Sequence, residues 1–169
     1  MLPEAIAIGI AKVLTGQLLD GVELQSGIRK VLQVPVDQIF GGVERSVGKK
    51  TIDKLAKAVA GELLAFPGAL EENAGAARAA ADTFLDALRS SELSASRMVD
   101  LSLDPVRIEE YVLNRAKAHL EGASAERRGH VGRAVAQLSK LLVANAADLP
   151  GVQVAFMQAM LQARGGNEA

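Results

Sequence analysis

Along most of the chain, apolar side chains recur at steps of three and four residues, and strict apolar–polar alternation is rare. That is the periodicity of helices buried along one face. Pro3 suits a first helical turn, where its missing N–H would have had no partner, so the pattern predicts a helix from Pro3 that fades near Gly21. Its stripe is Ile6, Ile10, Val13, Leu14 and Leu18, and Ile8 and Leu19 add apolar area elsewhere around the cylinder. A short second helix is expected over 25–32, because Pro35 disfavours helical backbone at Val34. Residues 31–34 and 38–40 are the only segments that read as strand fragments.

The segment 37–66 reads as helical, most clearly over 51–64, where Ile52, Leu55, Val59 and Leu63 follow i, i+3, i+7 and i+11. Gly41, Gly42 and Gly48 predict that its first half is bent or partly loop. Pro67-Gly68 predicts a break, after which helix resumes over 70–88 with Ala77, Ala81, Phe84, Leu85 and Leu88 on one side. Ser94 is placed to cap a short helix holding Met98 and Val99. Asp104-Pro105 pairs a capping carboxylate with a first-turn proline, and that helix should run to Leu120, before Gly122. Ser124 caps another, with Val131, Val135, Leu138, Leu141 and Leu142 facing inward. Leu149-Pro150-Gly151 separates it from a last helix over 152–163 that Gly165-Gly166 ends. The pattern as a whole predicts an all-α, compact bundle of about seven helices with no significant sheet. It forms one domain over 1–164, followed by a tail or the start of a linker at 165–169.

Composition narrows the chemistry. A chain of 169 residues supports one core and is short for an α/β enzyme domain with a second substrate domain. With no cysteine, disulfides, thiol nucleophiles and thiolate metal sites are excluded. Lys plus Arg number 19 against 20 Asp plus Glu, so any binding of nucleic acid or acidic lipid needs a local patch. The apolar N-terminus has no positive charge ahead of it, and Lys12 interrupts it before it could span a bilayer. A cytoplasmic protein is expected.

The stretch Gly42-Val-Glu-Arg-Ser-Val-Gly48-Lys49-Lys50-Thr51 resembles a phosphate-binding loop but misses it twice. Val43 stands where the first glycine must let amides wrap a phosphate, and Lys50 stands where a magnesium-binding hydroxyl belongs. It reads instead as a helix start with a basic face. Lys50, Lys54 and Lys57 share one side and could meet phosphates or anionic headgroups; without interleaved aromatics there is no base-stacking platform, and a solvated face is the simpler reading. His119 and His130 lack partners at metal-ligand spacing and read as surface or capping residues. Glu71-Glu72 and Glu109-Glu110 sit in first helical turns, where the helix dipole explains them. Ser124 lacks the second glycine of a nucleophile elbow. No residue qualifies as catalytic, cofactor-binding or metal-ligating. The first helix, apolar nearly all round, either lies in the core or completes its burial against a partner or a membrane, and Ile6, Ile10 and Leu14 are the candidate interaction residues.

From Val47 onward, a succession of short cues resembles the N-terminal helical domain of bacterial, especially actinobacterial, NACHT-type STAND NTPases. The cues are Ile52-Asp-Lys-Leu55-Ala-Lys-Ala-Val59-Ala-Gly-Glu-Leu63, the alanine-rich run from Ala76 to Leu88, Val99-Asp-Leu101-Ser-Leu103-Asp104-Pro105-Val-Arg-Ile-Glu, and Leu149-Pro150-Gly151-Val-Gln-Val-Ala-Phe156. They are packing and capping positions, covering about two thirds of the chain. The resemblance implies an NLR-like layout associated with anti-phage defence, in which a non-enzymatic helical domain precedes the NTPase module. It further implies protein partners: the NTPase module of the same polypeptide, and other protomers after activation. Weak contacts would be multiplied by that assembly. The alternative is a membrane-perturbing effector that inserts its N-terminal helix on activation. Neither reading calls for a cofactor or nucleic acid.

Overall fold

The structure is a computed structural model, and it describes residues 2–18, 42–65 and 74–168. Within them the chain is all-α, with no strand: α1 (Leu2–Leu18), α2 (Gly42–Leu64), α3 (Ala74–Ser91), α4 (Ala95–Asp100), α5 (Pro105–Arg115), α6 (Lys117–Glu121), α7 (Ala125–Ala144), a single 3-10 turn at Ala146–Asp148 and α8 (Pro150–Glu168). The expected short helix at 25–32, the strand fragments at 31–34 and 38–40 and the break at Pro67-Gly68 lie outside the described residues.

α1 packs along α2, α5 and α7 pack on each other, α7 also meets α2, and α8 is held against α4. Most of the positions that spacing turned inward on α2, α3 and α7 are buried, Leu85 and Leu141 only in part, and the first helix also lies in the core. Ile52, Leu55, Val59 and Leu63 of α2 join Ile6, Ile10, Leu14 and Leu18 of α1, Phe84 and Leu88 of α3, and Val131, Val135, Leu138 and Leu142 of α7 in one core. Phe84 heads the fully buried side chains by size. Burying a side chain of the leucine or phenylalanine class stabilises by about 1.5–3 kcal/mol, which explains why this stripe pattern, more than local propensity, selects the bundle.

All three predicted side-chain caps form. Ser94 Oγ accepts from the Arg97 N–H at 3.1 Å, Asp104 Oδ1 from Val106 at 3.0 Å, and Ser124 Oγ from Arg127 at 3.2 Å. Each satisfies one of the amides that a helix start leaves without a partner.

Four boundaries differ from expectation. α2 continues through Gly48, which is buried, from Gly42 onward: glycine costs a helix about 1 kcal/mol but does not forbid it once packing compensates. α3 extends to Ser91. The helix from Pro105 stops at Arg115, and fully buried Ala116, at φ −93° and ψ 3°, separates it from α6. The last helix runs past Gly165-Gly166 to Glu168.

The exit from α4 is specified by backbone geometry. The Leu103 N–H reaches the Met98 carbonyl at 3.0 Å and the Ser102 N–H reaches Val99 at 2.8 Å, the paired bonds of a Schellman motif. That motif requires a left-handed residue after the cap, and Ser102, at φ 62°, fills the place that glycine usually takes. Leu103, also left-handed at φ 51°, packs against the core.

Candidate functional site

The residues expected to meet a partner through α1 do not form a surface. Ile6 is 5% exposed, and Ile10 and Leu14 are fully buried, so in this fold they are core residues. The correction follows from the stripe itself: residues at i, i+4 and i+8 face one way, and α2 covers that way. Ile8, on another side of α1, is the residue left 57% exposed. No helix among the described residues is long and apolar enough to cross a membrane.

The basic face stands as expected. Lys50, Lys54 and Lys57 are all exposed on α2, with Lys49 and Asp53 flanking them, and none of the three is paired with an acid among the described residues. His119 is exposed, whereas His130 is buried on α7. Its Nε2 lies 2.9 Å from the Leu63 carbonyl. A carbonyl can only accept, so Nε2 carries the hydrogen, which leaves Nδ1 to accept from Arg133 Nη2 at 3.4 Å. His130 is therefore a cap, contributed across the bundle to the last turn of α2. Among the described residues no group of three His, Asp or Glu side chains is placed to hold a metal ion.

The richest polar cluster surrounds the C-terminus of α3, and sequence periodicity had not singled it out. Two carbonyls there would lack helical partners. Leu88 O accepts from Ser91 Oγ at 2.6 Å and from Gln17 Nε2 of α1 at 2.9 Å. Ser91 O accepts from Tyr111 Oη of α5 at 2.9 Å. Ser91 Oγ also accepts from the Leu93 N–H at 3.2 Å, so one hydroxyl relays the bond that would otherwise close the helix end directly. Glu92 takes the left-handed position, at φ 50°. Around the Tyr111 ring, Arg97 and Arg115 place their guanidinium carbons 5.5 and 5.6 Å from the centroid, and Arg115 reaches Glu92 at 3.3 Å. The one sequence signal available was that Tyr111 is the chain's only tyrosine and there is no tryptophan. An amphipathic ring of this kind is spent where an apolar body and a hydrogen-bonding tip are both needed.

Beside this cluster an open groove of about 520 Å3 runs between α1 and the α3 end, lined by Lys12, Gly16 and Gln17 on one wall and Arg89, Glu92 and Ser94 on the other. The Gln17 Nε2 is committed to Leu88, the Ser94 hydroxyl to its helix cap and Glu92 to Arg115, while Gln17 Oε1 is buried with no hydrogen-bond partner among the described residues.

The other unusual surface is on α8. Phe156 is 48% exposed and Met160, one turn on, is 59% exposed, while Val152, Val154 and Ala155 bury the first turns of the same helix. No charged residue occurs from Leu149 to Ala163, and the first charge on α8 is Arg164. Comparison with known proteins gives no counterpart for this arrangement: no family profile, no curated protein and no solved structure matches the chain.

Proposed function

We propose that the chain is a non-enzymatic helical signalling and protein-interaction domain acting in the cytoplasm, of the kind that precedes the NTPase in NACHT-type, NLR-like defence proteins. One observation carries the interaction reading: an exposed phenylalanine and methionine one turn apart in a stretch of α8 that has no charged residue from Pro150 to Ala163. Aromatic and methionine side chains are enriched where proteins meet, and solvated helix faces ordinarily carry charge. The assignment to that class of protein rests on the resemblance of the α2, α3 and α4–α5 segments.

Such a domain works by proximity: weak contacts become effective once copies are held together. The alternative, insertion of α1 into a membrane, would require Ile6, Ile10, Leu14 and Leu18 to leave the core, and the bundle would lose the largest apolar stripe that α2 packs against.

The test is forced clustering in cells. The chain is fused to an inducible oligomerising module, and growth and phage resistance are followed with and without the inducer. The expected result is a response that depends on the inducer and is lost in Phe156→Asp/Met160→Asp. A silent clustered chain, or turnover of a substrate by the purified monomer, would overturn the reading.

A further inference from the structure

We draw no further inference here: the strongest candidate, the open groove between α1 and the C-terminal end of α3, carries nothing, because Arg89 and Glu92 are already paired with Asp86 and Arg115, the unpartnered Gln17 Oε1 is buried from solvent and therefore from any ligand entering the groove, and Lys12 alone does not define one.

Discussion

Glycine to alanine should have opposite effects at two positions of this bundle, and the difference follows from what each Cβ would meet. Gly132 lies inside α7 with open space where a Cβ would stand, so alanine there only removes glycine's excess freedom in the unfolded chain. The expected gain is about 0.5–1 kcal/mol. Gly151, in the first turn of α8, faces the end of α1: a Cβ there would fall inside contact distance of the Leu18 backbone carbonyl, with the Ala95 side chain 3.6 Å away. A backbone carbonyl in a packed helix cannot rotate aside, so α8 and α1 must separate. Overpacking of this kind costs about 1–3 kcal/mol or more, and the first turn of a helix recovers little of alanine's propensity advantage. Gly9 is the intermediate case, since its nearest neighbour is Leu85 Cδ1 at 3.3 Å, the mobile end of a side chain, and alanine there should be near neutral. The two extreme variants should therefore differ by about 3 kcal/mol, or roughly 6–12 °C in Tm for a chain of this size. Urea unfolding followed by far-UV circular dichroism, extrapolated linearly to water, measures this directly. If Gly151→Ala proved as stable as Gly132→Ala, the close approach of α1 and α8 would be refuted, and with it the docking of the last helix.

Other consequences can be checked in the same assay. Ser102→Gly should stabilise by about 0.5–1 kcal/mol, because the left-handed cap of α4 then carries no side-chain penalty and only an exposed 3.3 Å contact with Arg107 is lost. Tyr111→Phe should destabilise by about 1 kcal/mol by leaving the Ser91 carbonyl without its donor, while Tyr111→Ala should cost distinctly more by also removing the ring between two arginines. Leu14→Ala should cost about 2–5 kcal/mol, the range for a fully buried leucine; a value near zero would return α1 to the surface.

Much of the bundle could be read from residue spacing alone. The stripes of α2, α3 and α7 and the three capping side chains depend on neighbours within a turn or two, and the structure places most of them as read. The candidate interaction residues were read less well, for a physical reason. Spacing shows that Ile6, Ile10 and Leu14 share a face, but whether that face meets α2 or a partner depends on where a distant segment packs. The exposed pair on α8 was hidden in the same way, since Phe156 sits in an apolar run whose neighbours Val152, Val154 and Ala155 are buried.

What the amino-acid order determined by itself is therefore local: helical periodicity, cap chemistry, the exclusion of cysteine chemistry and the absence of a strong overall charge. Tertiary structure decided everything that depends on two segments far apart in the chain. Gly151 reads in sequence as a helix break, yet its role is to admit Leu18. His130, Gln17 and Tyr111 have no helical pattern to announce them, yet each supplies a donor to a carbonyl at the end of another helix. Helix ends leave such groups unsatisfied in every sequence, and only the assembled bundle fixes which side chain is near enough to satisfy them.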